Sequence, residues 1–272
     1  DRVLAFNGDT TLRAGSNITL TDAVHARGGN DVVVWASQNV TQTAAVGGDQ
    51  ATDNVTLTAD TGAILSTNTI DAAVDVALSS GSSTTLGAAV VADTGDITIG
   101  SGVNVTAADE LTATAGAIDI DAVEDVALAA LVTAGTTIDV NAGGTSAFAE
   151  LHAGDDITLD ADVDLTLTGA VNADGADIVA TAGRDLTATA ALGGDQTTDN
   201  IDLTAVLGTV TTSSTVDATE TIDYVAGANI VAGQTDALDA ITTDNGSITF
   251  DAGEGIAINT IVTANDSVLA DA

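Results

Sequence analysis

The chain repeats itself on two length scales, and this restricts its fold more than any motif it carries. Asn39 to Ala59 reads NVTQTAAVGGDQATDNVTLTA, and Asp185 to Ala205, 146 residues later, reads DLTATAALGGDQTTDNIDLTA. A shorter unit recurs within these blocks: a turn residue (Gly, Asn or Asp), then apolar–Thr/Asp–apolar, as in Gly95-Asp96-Ile97-Thr98-Ile99 and Gly116-Ala117-Ile118-Asp119-Ile120. The first apolar residues form the series Val32, Val55, Val76, Ile97, Ile118, Ile138, Ile157, Ile178, Ile201 and Ile222, spaced by 19 to 23 residues. Both spacings of 23 contain the loop Gly-Gly-Asp-Gln, and a longer insertion around Gly233 to Ala240 precedes Ile248. Fixed periods of this length belong to arrays in which one unit stacks on the next.

A second apolar anchor follows eight residues after most of the first, at Val40, Val105, Val126, Leu165, Leu186, Ile230 and Ile256. Each anchor opens a run of alternating apolar and polar residues, such as Asn17-Ile18-Thr19-Leu20-Thr21. Period two means a strand with one buried and one wet face. Two short strands and a third variable stretch complete a circuit, which predicts an all-β parallel β-helix (β-solenoid) of about 12 or 13 rungs of roughly 20–21 residues. The usual hand of parallel crossovers makes it right-handed. Helices are excluded because the segments are short, β-branched and punctuated by Gly, with no sustained 3.6-residue stripe. The expected organisation is a single continuous solenoid over 1–272, duplicated internally as about 32–177 and 178–272, the second copy incomplete. Ser267-Val268-Leu269 reads as the start of another rung, so the chain is expected to be a section of a longer rod or a subunit stacked end to end.

Composition agrees. Hydrophobic residues make up 45% of the 272 but aromatics only 2%, so the core must be thin layers of Val, Ile, Leu and Ala. Pro is absent and Gly numbers 28, which leaves turns to Gly, Asn and Asp. Forty acidic residues against four arginines (Arg2, Arg13, Arg27, Arg184) give a net charge of −36, and lysine is missing. Nucleic-acid binding needs clustered cations and is excluded, and adhesion to an anionic membrane surface is disfavoured. Without cysteine there is neither disulfide nor thiol chemistry. No signal peptide and no run of about 18 apolar residues is present, so no bilayer insertion is expected. The absence of Met and the start at Asp1 point to an internal or processed segment.

The segments GSNITL, TDNVTL, GDITI, GDDITL and GRDLTA recur over nearly the whole chain. In them the sequence resembles the repeat region of bacterial filamentous-haemagglutinin-type adhesins and related large exoproteins. The resemblance implies a right-handed β-helical shaft displayed outside a bacterial cell, exported through an outer-membrane partner, with receptor-binding parts in other domains. The lack of lysine and the strong acidity depart from many such adhesins.

Candidate sites are sparse. Asp49 and Asp53, with Asp195 and Asp199 in the second copy, lie in GGDQATDN and GGDQTTDN. Glycines beside acidic and amide oxygens are chemistry suited to Ca²⁺, which takes six to eight oxygen ligands. The plainer reading is a polar loop held by its own turn hydrogen bonds, because the spacing matches neither an EF-hand nor a calcium-binding nonapeptide. Gly28-Gly29-Asn30-Asp31 matches the opening of that nonapeptide in a single copy only. Acidic residues one rung apart, such as Asp75 with Asp96 or Asp156 with Asp177, are expected to repel, and either cations or salt screening would relieve them. Thr-x-Thr pairs (Thr19/Thr21, Thr41/Thr43, Thr56/Thr58, Thr112/Thr114, Thr166/Thr168, Thr187/Thr189) raise ice binding, but strand propensity explains them. Asn17, Asn39, Asn54 and Asn104 match the glycosylation sequon or are simply turn residues.

No catalytic constellation stands out. Asp is everywhere, so spacing identifies no carboxylate pair. His25 and His152 lie far apart, and the aromatics are only Phe6, Trp35, Phe148, Tyr224 and Phe250. The expectation is a non-catalytic structural or adhesive shaft of a long extracellular, cell-surface fibre, requiring no cofactor. The alternative is a self-assembling extracellular filament or surface-layer subunit stacking end to end, with calcium stabilisation a variant of either. The expected partners are copies of itself and a host or cell-surface receptor outside this segment.

Overall fold

Short β-branched segments punctuated by Gly, Asn and Asp form strands throughout, with no helix among the described residues. The computed structural model describes residues 3–48, 52–194, 198–233 and 240–272. They fall into two compact units, 1–139 and 140–272. Both are parallel β-solenoid, and the chain has about 12 turns in all.

In the first unit each turn contributes to three strand columns, the second and third carried in the last turn by one continuous strand, Val126–Ala134. The first strands are Thr10–Ala14, Asn30–Ala36, Thr52–Ala59, Val76–Ser80, Ile97–Ser101 and Ile118–Ala122. They pair in parallel in the register Thr10–Val32–Val55–Val76–Ile97–Ile118. The second strands stack Ile18–Val40–Ile64–Thr84–Val105–Val126. The third stack Val3–Val24–Val46–Ile70–Val90–Leu111–Val132. Main-chain bonds therefore run from turn to turn: Val55 N–H donates to Asp75 O and Val76 N–H to Asp96 O, both at 2.9 Å.

The second unit repeats the plan. Its first strands stack Ile157–Ile178–Ile201–Ile222–Ile248–Val268. Its second strands stack Ser146–Leu165–Leu186–Val210–Ile230–Ile256. In the third column Leu151 pairs with Val171, an isolated bridge at Leu192 joins Val171 to Val216, and Val216–Ile241–Val262 follow.

The expected anchors thus pair as read within each unit. Three features go beyond that reading. The variable stretch is a true third strand with its own pattern, apolar–x–Ala, as in Val24–Ala26, Ile70–Ala72 and Leu111–Ala113. A further turn precedes Val32, built on Thr10. Second anchors also occur where the residue is polar (Thr84, Ser146) or nine residues on (Ile64, Val210). The insertion around Gly233 to Ala240 lies mostly outside the described residues.

Inward positions form apolar columns. Ile97, Ile118, Ile157, Ile178 and Ile201 are 0% exposed, and burying such a side chain contributes about 1.5–3 kcal/mol each. Two successive turns place Ser80 and Ser101 in a column otherwise made of Ala14, Ala36, Ala59 and Ala122. Their hydroxyls are satisfied: Ser80 Oγ lies 2.9 Å from Thr84 Oγ1, and Ser101 Oγ donates to Ser82 O and Asn104 O. The aromatic core is confined to the second unit. Tyr224 and Phe250, register partners, stack with ring centroids 4.9 Å apart. Burial pushes the Tyr224 phenol well above its usual range, and its hydroxyl lies 3.3 Å from Thr212 Oγ1.

Candidate functional site

The repeated glycine–acid corners come first. Asp49 and Asp195 lie outside the described residues, but the flanks on both sides are defined. In the first unit the third strand Val46–Gly47 ends on two left-handed glycines, Gly47 (φ 74°) and Gly48 (φ 88°). A Cβ on Gly47 would collide with the carbonyl oxygen of Asp71 in the next turn. After the loop, Thr52 is buried and its Oγ1 donates to Ala26 O at 2.7 Å. The second unit matches this feature by feature: Gly193 (φ 63°) abuts Asp217 O, and buried Thr198 donates to Ala173 O at 3.0 Å. Asp53 O and Asp199 O each accept an N–H from the following turn, that of Val74 and of Glu220, at 2.8 Å.

These packing roles account for part of the repetition. Ten of thirteen positions from 47 to 59 recur 146 residues later, against six of fifteen in 32–46 and four of seventeen in 60–76. Gly47, Thr52 and Asn54 are held by close approach, a buried hydroxyl bond and the ladder described next. No group of three His, Asp or Glu side chains arranged to hold a metal occurs among the described residues. The single nonapeptide-like opening is also a turn, with Gly28 (φ 84°) and Gly29 (φ 76°) at its apex.

The acidic column at the start of the first strands is an amide-binding ladder. Asp9 Oδ1 accepts the N–H of Asp31, Asp31 that of Asn54, Asn54 that of Asp75, Asp75 that of Asp96, and Asp96 that of Ala117, at 2.8–3.2 Å. In the second unit Asp156, Asp177 and Asn200 do the same for Asp177, Asn200 and Thr221. A shorter ladder runs along the start of the second strands, from Asn17 to Asn39 to Ala63 and from Asp164 to Asp185 to Thr209. The carboxylates expected to repel one another thus each receive a main-chain donor. The sequon asparagines Asn17, Asn39, Asn54 and Asn104 each accept the N–H of the next turn in this way, Asn104 that of Asp125, and two also donate: Asn39 Nδ2 to Asn17 Oδ1 and Asn54 Nδ2 to Asp31 Oδ1.

Elsewhere on the first strands acids do crowd. Burial, with Asp121 and Asp139 nearby, raises the Asp119 carboxyl above its usual range. Burial, with Asp223 and Asp177 nearby, does the same for Asp202. Asp164 is lowered by the side-chain bond from Arg184, whose Nε and Nη2 engage its two oxygens at 3.1 and 2.6 Å. Arg13 sits 4.8 Å from the Trp35 ring, and Trp35 Nε1 donates to Asp60 Oδ1. His152 pairs with exposed Glu150 at 2.9 Å.

The face formed by the second strands differs from all of this. Its outward column in the first unit is Thr19, Thr41, Leu65, Thr85, Thr106 and Ala127. In the second it is Ala147, Thr166, Thr187, Thr211, Val231 and Ala257. No charged residue interrupts either column. Four of the Thr-x-Thr pairs begin in these columns, Thr19/Thr21 and Thr41/Thr43 in the first unit and Thr166/Thr168 and Thr187/Thr189 in the second, while Thr56/Thr58 lies on a first strand and Thr112 on a third. The second threonine of three pairs is turned onto the backbone: Thr43, Thr168 and Thr189 donate their hydroxyls to Leu20 O, Phe148 O and Leu167 O, and Thr67, after Leu65, does the same to Gln42 O. A shallow groove lined by Asn17, Thr19, Asn39, Thr41, Ala63 and Leu65 runs along it. In comparisons with known proteins, no family, curated protein or solved structure matches the chain.

Proposed function

We propose that this chain is a non-catalytic shaft segment of a long extracellular fibre, of the kind found in filamentous-haemagglutinin-type adhesins. One observation carries the reading: in both units, side chains facing inward build aliphatic columns, and acids at the turns bind the amides of the next turn. Both devices hold successive turns in register, as a stiff spacer requires. The net charge of −36 supports display in a salty medium, where it keeps a β-rich surface soluble. Immunogold labelling of intact producing cells tests this. Label projecting from the cell surface supports it, and label confined to the cytoplasm contradicts it.

The second reading is a self-assembling extracellular filament or surface-layer subunit. The uncharged column of outward side chains along the second strands, present within each unit, favours it as the least repulsive surface for association. Calcium stabilisation through the Gly-Gly-Asp-Gln corners is a variant of both. A melting midpoint that rises with Ca²⁺, returns with chelator and loses its rise in Asp53→Asn/Asp199→Asn supports the variant. An unchanged midpoint removes it.

A further inference from the structure

We infer that Asn7-Gly8 is a site of spontaneous deamidation, and that the same dipeptide at the equivalent corner, Asn245-Gly246, is protected from it by stacking. Asn is followed by Gly only at these two places. Each pair lies between a third strand and a first strand, the asparagine three residues before Thr10 in one case and before Ile248 in the other. In the reaction the glycine backbone nitrogen gives its proton to solvent base and attacks the asparagine Cγ. A C–N bond forms, the bond from Cγ to the side-chain nitrogen breaks, and that nitrogen leaves as ammonia with a proton taken from water. Water then opens the cyclic imide at one of its two C–N bonds, leaving aspartate or isoaspartate. Glycine favours the attack because it has no Cβ to block the ring and its backbone turns freely. The corner must be able to rotate, so local structure sets the rate.

Both asparagines are exposed, so anchoring separates them. Asn245 N–H donates to Thr219 O at 2.8 Å, and Gly246 O accepts from Asp266 N–H at 3.1 Å and Thr243 Oγ1 at 3.0 Å. Gly246 packs so tightly on Glu220 that a Cβ there would sit 1.9 Å from its carbonyl oxygen. This corner is pinned by the turn before and the turn after. Around Asn7 the following turn holds only the flanks: Arg27 N–H donates to Ala5 O at 2.9 Å and Asp31 N–H to Asp9 Oδ1 at 3.1 Å. Between those flanks the following turn runs through the left-handed Gly28 and Gly29. Asn7 and Gly8 make no hydrogen bond with any described residue, and a Cβ on Gly8 would meet nothing within 4 Å. The change would fall just before Asp9, the first acceptor of the acidic ladder. Isoaspartate would also add one main-chain carbon between Val3–Ala5 and Thr10–Ala14.

This inference stands apart from the shaft reading, which survives either outcome. The whole chain is incubated in mildly alkaline buffer, folded and in urea, and peptide mapping by mass spectrometry follows aspartate and isoaspartate at positions 7 and 245. In the folded chain conversion at 7 is expected to be at least about tenfold faster than at 245, because the pinned corner must first open. In urea the two rates are expected to agree within about threefold, since local sequence alone then sets them. Gly8→Ala, which has room for its Cβ, is expected to keep the fold and to slow conversion at 7 at least about fivefold. Far-UV circular dichroism checks that the variant keeps its strands. Conversion at 7 no faster than at 245 in the folded chain overturns the inference. So does a difference that persists in urea, or a folded Gly8→Ala variant that converts at the unaltered rate.

Discussion

Asp75 Oδ1 accepts the backbone N–H of Asp96 at 2.8 Å, one full turn further along the chain. The two carboxylates share a column, yet each is tied to a main-chain donor rather than left to repel its neighbour. The acceptor needed is an oxygen, not a charge, since Asn54 fills the same position between Asp31 and Asp75. Asp75→Asn should therefore be close to neutral, and Asp75→Ala should cost about 0.5–1.5 kcal/mol, the usual worth of one hydrogen bond. Urea denaturation separates them. Equal losses in the two variants would mean that the charge itself matters.

The glycine corners give a second comparison. Gly47→Ala puts a Cβ onto Asp71 O at a left-handed φ, and Gly193→Ala does the same at Asp217. Each should cost about 1–3 kcal/mol. Gly8→Ala, with open space around it, should shift stability by less than about 0.5 kcal/mol. Thermal melts of the three variants check the order.

Asp119 and Asp202 predict the opposite sign from an ordinary salt-bridged acid. Their folded-state carboxyls are raised, chiefly by burial, so the folded state binds protons more readily than the unfolded one. Their ionised forms weaken the fold at neutral pH, and the penalty fades as pH falls into the raised range. Asp119→Asn should stabilise slightly at pH 7, by on the order of 0.5 kcal/mol or less for so exposed a site. The gain should vanish near pH 3, below the usual carboxylate range. Asp164 behaves conversely: its lowered carboxyl stabilises above the unfolded value, and that contribution is lost as pH falls through the folded one. Melting midpoints across pH 3 to 7 read both trends.

The buried Tyr224–Thr212 pair offers a test of polar matching in the aromatic core. Thr212→Val alone leaves a buried phenol without its partner and should cost about 1–3 kcal/mol. Adding Tyr224→Phe removes the orphaned hydroxyl and should recover most of the loss. A double variant no better than Thr212→Val would show that the contact is incidental.

Much of this architecture was legible in the sequence because stacking imposes a constant register. Val32, Val55, Val76, Ile97 and Ile118 pair one above another, and an apolar residue after a turn signal is visible without coordinates. Thr84 and Ser146 were missed because a polar residue at an anchor breaks the pattern, and Thr84 is tolerated only because Ser80 is within reach of its hydroxyl. The third strand was overlooked although its apolar–x–Ala signature was present, because its distance from the second varies. The ladder was hidden for a different reason. Asp and Asn in turns look alike whether they hold a cation, their own loop or the next turn's amide, and only geometry tells these apart. The uncharged second-strand columns were equally invisible, because the Thr-x-Thr pairs can be assigned to columns only once the register is known.

The central claim is that successive repeats lie one above another in a parallel stack, one strand spacing per turn. The chain has no cysteine, so pairs of introduced cysteines carry spin labels only where they are placed. Within the first unit, labels at Thr11 with Thr98 and at Thr11 with Asp119 are four and five turns apart along one column. Pulsed dipolar distance measurement should give about 19 Å and about 24 Å between the backbones, the second longer by one strand spacing of about 4.8 Å. Distances that do not grow with the number of turns, or that are shorter for the pair further apart in sequence, would contradict the stack.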